Sequence, residues 1–354
     1  MTRQTDIDQI LDLLICPGFC VKDNRITKTN SAADALLLAP GTDVRSLLLT
    51  GSDEYEAFQD GSLYLKLNLS PQGWGCCVIR QDDTDYFLLD QPTQDDALQA
   101  LALAARELRS AMSGTFVSAD QLAQKVDPEN SQIQEQLARM NQSLHRTLRI
   151  IGNMSDAAHW SQYSYQEVRE IGGLFEEIFE KAAAFAQSAG ITVVFEPMKE
   201  SVYTLADRQQ LERATLNILS NAMKFAPAGS RIDASLTRSG KLIRLTLRDY
   251  GPGIADQVRN TLFSRYLRHG GIEDNRFGLG LGLVLVQSTA TSHGGAVLVD
   301  HPTGGGTRVT MTLAIRQNQD SLLRSPLLVP DYAGFRDHTL VELSDCLPHE
   351  LYKF

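Results

Sequence analysis

Asn217 and Asn221 stand four residues apart in the run NILSNAMKF, and Lys224 follows three residues later. On a helix that spacing sets both carboxamides and the ammonium along one face, where they could meet one ligand. Carboxamide oxygens are hard ligands suited to Mg²⁺, and a lysine supplies the counter-charge for a phosphate. Taken alone, such an asparagine pair is more often an exposed polar face. A second cluster, Asp249-Tyr-Gly251-Pro-Gly253, ends the apolar run LIRLTLR, so a carboxylate meets backbone free to turn sharply and can accept from an exocyclic amino group. Any strand-ending turn can also read this way. A third, FGLGLGLVLV, spaces Gly278, Gly280 and Gly282 ahead of an apolar helix, where bare amides and the positive helix end can hold phosphates. Its spacing departs from the dinucleotide fingerprint, and no strand immediately precedes it. The fourth is a triple glycine, 304–306, followed by Thr307 and the strand-like RVTMTLAI.

The elements that must position these groups fall into three blocks and a tail. Residues 4–92 alternate short strands with turn residues: two strands around an Asp23-Asn24 turn, a short helix in SAADALLLA, then three antiparallel strands. Residues 93–163 carry almost no strand signal and read as a two-helix hairpin broken near VDPENS. Leu101, Ala105, Leu108, Met112, Ala119 and Leu122 recur along its first helix, and Ile133, Leu137, Met140, Leu144, Leu148, Ile151 and Met154 along its second. Such narrow seams suit a four-helix bundle made by two chains, which predicts a homodimer. Residues 164–316 mix helices (EVREIGGLFEEIFEKAAAFAQSAG and DRQQLERATLNILSNAMKFAP) with five strands, an α/β sandwich. Residues 317–354 show no chemistry of their own, and a loosely attached terminus is the expectation, with ELSDCLPHELYKF as a candidate docking segment.

In order and spacing the four clusters resemble the nucleotide-binding boxes of the sensor histidine kinases, whose ATPase domain is of the GHKL (Bergerat) type. The resemblance implies an α+β multidomain protein: a PAS-like α/β sensor over 4–92, a dimerisation hairpin over 93–163 and the ATP-binding domain over 164–316. The sensor resemblance rests on the order of strands and helix around ILDLLICPGFCVKDNRITKTNSAADAL. By the same resemblance the cofactors are ATP and Mg²⁺. Asn221 would bind the metal, Asn217 and Lys224 would contact phosphates, and Asp249 would bind the adenine amino group. Gly251, Gly253, Gly278, Gly280, Gly282 and Thr307 would complete the nucleotide site, and 254–277 would be a mobile lid with Phe263 and Tyr266 in its aromatic places. A response-regulator receiver domain is the partner it implies.

One departure bears on the reaction. The kinases carry their phosphoacceptor histidine on the first hairpin helix, and the matching run here is Arg106-Glu107-Leu108-Arg109-Ser110. A guanidinium that stays protonated cannot accept a phosphoryl group as a neutral imidazole does. His145 and His159, on the second helix, are the alternative acceptors. The expected activity is that of an ATP-dependent protein kinase of the histidine kinase family. A pseudokinase that regulates a partner without phosphotransfer, or a serine kinase of the anti-sigma-factor type, are the alternatives. No acid stands in the turn before Asn217, which disfavours hydrolytic motor work.

Composition narrows the partners. The 354 residues are 43% hydrophobic and 21% charged with a formal charge of -10, which argues against nucleic acid and anionic lipid. No apolar run approaches the roughly 18 residues of a membrane span, and Asp6, Asp8 and Asp12 stand where a signal peptide would be apolar, so a cytoplasmic location is expected. The five cysteines (Cys16, Cys20, Cys76, Cys77, Cys346) lack metal-site spacing and read as reduced thiols.

Overall fold

The structure, a computed structural model, describes residues 11, 16–69, 72–81, 83–90, 95–159, 166–254, 281–316, 333–334 and 336–354. Among these, no helix is long and apolar enough to cross a membrane.

The first unit is built from β1 (Gly18–Lys22), β2 (Arg25–Thr29), α1 (Ser31–Asp34), α2 (Ser52–Ala57), β3 (Ser62–Leu69), β4 (Gln72–Gln81) and β5 (Thr84–Leu89). Asp23 and Asn24 both adopt positive φ, the two-residue turn whose twist matches a hairpin. Asn30 caps α1 by accepting from the Ala33 amide at 2.9 Å and holds the Gly18 amide at 3.0 Å, which ties the helix to the first strand. The core of this unit centres on Phe19 and Phe87, stacked 4.8 Å apart. Helix α2 and the 3-10 turn Val44–Leu47 are additions to the elements expected from the sequence.

Two 29-residue helices follow, α3 (Asp95–Ala123) and α4 (Ser131–His159), packed as a hairpin. The expected seams divide in two. Ala105, Ala119, Leu137, Leu148 and Ile151 are buried within the chain, whereas Leu108, Leu122, Ile133 and Met140 stay exposed.

The third unit comprises β6 (Glu167–Glu170), α5 (Ile171–Ser188), β7 (Thr192–Glu196), β8 (Tyr203–Ala206), α6 (Arg208–Phe225), β9 (Arg231–Ser239), β10 (Leu242–Arg248), α7 (Leu281–Ser292), β11 (Val297–Asp300) and β12 (Arg308–Ala314). The run EVRE, expected as the start of a helix, is instead a strand paired with β8. Glu170 then starts α5 as its cap, accepting from the amides of Gly172 and Gly173 at 2.9 and 2.6 Å. Alternation along β9 and β10 sends Ile232, Ala234, Leu236, Ile243, Leu245 and Leu247 into one face, against α5, α6 and α7. That makes a two-layer α/β sandwich.

The two sheets join. Strands β3 and β11 pair antiparallel, Tyr64 opposite Val297 and Ser62 opposite Val299, giving one ten-stranded sheet of order β2-β1-β5-β4-β3-β11-β12-β10-β9-β7. Thr312 of β12 also hydrogen-bonds Glu54 of α2 across this seam.

Helix α8 (His338–Glu342) and the 3-10 turn His349–Tyr352 correct the expectation of a loose terminus. Val341, Leu343, Leu347 and Tyr352 are buried, and the segment packs against both α4 and α6. Gln142 of α4 donates to the carbonyls of Ser344 and Leu347, and Asn141 donates to that of Tyr352. Polar positions of α4 are thus the clasp for the tail.

Candidate functional site

Helix α6 carries the asparagine pair and the lysine. Asp207 caps it, accepting from the Gln210 amide at 3.1 Å. His293 fixes the cap from behind: its Nε2 accepts from the Asp207 amide at 3.0 Å while its Nδ1 donates to the Thr289 carbonyl at 2.7 Å. Burial pulls its pKa down to about 4, with the nearby Arg316 charge acting in the same direction and the Thr289 hydrogen bond opposing, and an imidazole whose Nε2 accepts from an amide is neutral.

At the other end of α6 lies the turn holding Asp249. An added Cβ on Gly251 would fall 2.5 Å from the Phe225 carbonyl oxygen, so the turn lies directly against the last residue of α6. Asp249 is buried, and its Oδ1 accepts from the amides of Gly251 at 2.8 Å and Thr307 at 3.2 Å. Burial pushes its carboxyl above the usual range, and these two amides oppose the shift. Gly306 sits at φ 83° with its ideal Cβ position 2.0 Å from the Asp249 carbonyl oxygen, a close approach only glycine allows. Gly253, at φ 78°, lies beside His301, whose Nδ1 approaches the Gly306 carbonyl at 3.1 Å. The glycine-threonine pair therefore shapes the turn that presents Asp249.

The three α6 residues do not share one open face. Asn221 is half-buried and Lys224 stands near the helix end, but Asn217 is fully enclosed. Its Nδ2 donates to the Arg213 carbonyl at 2.9 Å and to Glu342 at 3.2 Å, and its Oδ1 accepts from Arg149 at 3.3 Å. Gly282 closes the remaining side, since its ideal Cβ position is 2.8 Å from that Oδ1. Asn217 and Gly282 thus act first as the contact between α6 and α7. Gly278, Gly280, Phe263 and Tyr266 lie outside the described residues.

Residues the sequence reading passed over surround this contact. Arg149, Asn153 and Asp156 follow one another on α4 at spacings that share a face. Arg213, 1% exposed in mid-α6, donates to Asn153 at 2.9 Å, pairs with Asp156 and donates to Glu342 at 3.0 Å. Arg149 pairs with Glu342 at 3.3 Å and Asp345 at 2.7 Å, and Lys224 pairs with Asp345 at 2.8 Å. A repeated Arg and Asp/Asn stripe on α4 was the available signal, but only the fold supplies its acidic partners.

The acceptor candidates are placed as follows. Arg106 is exposed on α3. His145 is 6% exposed, with its Nδ1 on the Asn141 carbonyl at 2.8 Å and its ring edge-on to Phe116 and Tyr352. Burial lowers its pKa. The side chain of His159 lies outside the described residues.

The family model for "Histidine kinase-, DNA gyrase B-, and HSP90-like ATPase" matches residues 206–317, the stretch from the α6 cap through the end of β12. Residues 206–317 are an ATPase domain of this family. Relatives extend the likeness beyond the ATPase domain: Histidine kinase P4 of Formosa agariphila is 27% identical over 211 residues, 57% of this chain and 15% of the relative. Sensor histidine kinase RppB of Synechocystis is 25% identical over 221 residues, 61% of this chain and 49% of the relative. The chain thus spans at most about half the length of these relatives. Among solved structures, full-length ShkA in complex with AMPPNP superposes with a TM-score of 0.51 at 22% identity, over 62% of this chain and 47% of that one, a likeness of fold.

The donor set fits Mg·ATP. A buried carboxylate at the Gly251 turn can accept from an adenine amino group, and a carboxylate already seated on Lys224 marks that corner as one that takes anionic oxygen. Among the described residues no group of three or more His, Cys, Asp or Glu could hold a metal unaided. Mg²⁺ bound by one protein oxygen plus phosphates is compatible with that, because the ion keeps water and favours phosphate oxygens.

Proposed function

We propose that the chain is a histidine-kinase-type signalling protein that binds Mg·ATP across the C-terminal end of α6 and the Asp249 turn and transfers the γ-phosphoryl group to a protein side chain. The supporting observation is the contact of Gly251 with Phe225, which sets Asp249 beside the end of the helix that carries Asn221 and Lys224, all within the matched ATPase domain. Asn221 would hold Mg²⁺, Lys224 the phosphates and Asp249 the adenine amino group. When bound, Mg·ATP supplies the activated phosphoryl group, and the chain's part is to orient it and neutralise developing charge. The strand order 2-1-5-4-3 of the first unit supports reading residues 4–92 as a PAS-like sensor. Exposed Leu108, Leu122, Ile133 and Met140 support a homodimer through the hairpin, and a receiver domain is the partner in keeping with the family.

Exposure of Arg106 and enclosure of His145 favour a second reading, in which nucleotide occupancy sets the hairpin and a partner is regulated without phosphotransfer. Incubation with γ-labelled Mg·ATP, with and without a receiver domain, separates the two. Acid-labile label on either protein supports the kinase, and nucleotide binding without label supports the regulator. Asn221→Ala should lose Mg²⁺-dependent binding, and normal binding by that variant would refute the site assignment.

A further inference from the structure

The C-terminal segment passes through the corner that the nucleotide reading assigns to phosphates. Glu342 and Asp345 come from the end of α8 and the turn after it, and both carboxylates enter a corner made by Arg149, Arg213, Asn217 and Lys224. They differ in burial: the Glu342 side chain is 0% exposed and the Asp345 side chain 34%. Glu342 is therefore an anchor, and Asp345 is the contact at the rim. Burial alone would raise the Asp345 carboxyl, but Arg149 and Lys224 hold it below the usual range, so it stands there as an anion. Cys346, next in sequence, lies with its Sγ 3.4 Å from the Ser220 carbonyl oxygen in mid-α6. The clasp from α4, through Asn141, Gln142, Arg146 and Arg149, makes the same segment a bridge between hairpin and ATPase domain.

A carboxylate seated on Lys224 opposes a triphosphate at the same ammonium, which has three N–H donors but a single positive charge, because like charges brought together in this partly enclosed corner repel. We propose that residues 337–352 are a built-in competitor for the nucleotide's phosphates. Asp345 holds Lys224, and Mg·ATP binds as the segment withdraws from α6, which also removes the bridge between α4 and the ATPase domain. This rests on the nucleotide reading above. A segment docked nine-tenths of the time or more raises the apparent Kd about tenfold or more, since only the undocked fraction binds.

The test uses the full chain with Mg·AMPPNP as the probe. Its affinity is measured by calorimetry for the natural sequence and for Asp345→Asn, which removes the competing charge at a partly exposed position. In parallel, alkylation of Cys346 by iodoacetamide is followed by mass spectrometry on the natural sequence with and without saturating nucleotide, a readout that needs no variant to fold. At least about tenfold tighter binding by Asp345→Asn, together with faster Cys346 alkylation when nucleotide is present, is expected. If nucleotide binds but the two affinities are equal, or the Cys346 rate does not move, the competitor is refuted and the nucleotide site stands. If neither chain binds Mg·AMPPNP at millimolar concentration, the nucleotide reading falls and takes the competitor with it.

Discussion

Glu342 is the most enclosed carboxylate among the described residues, and Glu342→Gln tests what it holds together. The carboxylate has no exposed surface and accepts from Arg213 Nε at 3.0 Å, Asn217 Nδ2 at 3.2 Å and Arg149 Nε at 3.3 Å. Glutamine keeps the shape but removes the charge between two buried guanidinium groups, and it turns an NH₂ toward groups that can only donate. Removing one partner of a buried ion pair costs about 3–5 kcal/mol. Here Arg213 retains Asp156 and Arg149 retains Asp345, which places the expectation at the low end, about 3 kcal/mol. Because a chain of several units need not unfold in one step, the assay is hydrogen exchange of peptides covering α8 and α6. A loss of about 3 kcal/mol reads as roughly a hundredfold faster exchange through the same opening. Glu350→Gln, on the same segment with a side chain 58% exposed, is the control and should stay within about 0.5 kcal/mol. Adding Asp345→Asn to Glu342→Gln should cost more than the two single losses, because Arg149 then loses both of its acidic partners. Exchange in Glu342→Gln less than about tenfold faster than in the natural chain would refute the view that this carboxylate holds α4, α6 and α8 together.

Two further outcomes follow from the same geometry. His293 is bound neutral with a pKa pulled down to about 4, so the unfolded chain binds the extra proton between that value and the ordinary value of about 6.5. Stability should therefore be fully present above about pH 6.5 and fall by up to about 3 kcal/mol as pH drops toward 4; denaturant midpoints that do not move over this window, or move equally in His293→Gln, would contradict it. The exposed residues Leu108 and Met140 should lie in a dimer interface, so Leu108→Glu with Met140→Glu should convert a dimer to a monomer in light scattering, and a natural chain that is already monomeric at micromolar concentration would end the bundle reading.

What could be read from the sequence was what depends on neighbours along the chain. The α6 helix, the Asp249 turn and the strands around it follow from periodicity, a cap and glycines within a few residues of one another. The Asp23-Asn24 hairpin is legible for the same reason. EVRE misled because four residues with charges at both ends fit a helix start as well as an edge strand, and only β8 decides between them. Asn217 misled for a different reason: helical spacing does put it on the side of Asn221, but α7 approaches so closely at Gly282 that this part of the face is shut. The acidic tail was illegible because its partners lie far away in sequence, Arg149 being 193 residues before Glu342. Nothing in ELSDC distinguishes a carboxylate in water from one between two buried arginines. The stripe Arg149, Asn153 and Asp156 was half of that information, since a polar line inside an apolar seam must meet matching charge or leave the seam unstable. The matching charge comes partly from α6 and partly from the tail. Hairpin, ATPase domain and C-terminal segment are therefore coupled through one set of ion pairs, and whatever displaces Asp345 from Lys224 acts on all three.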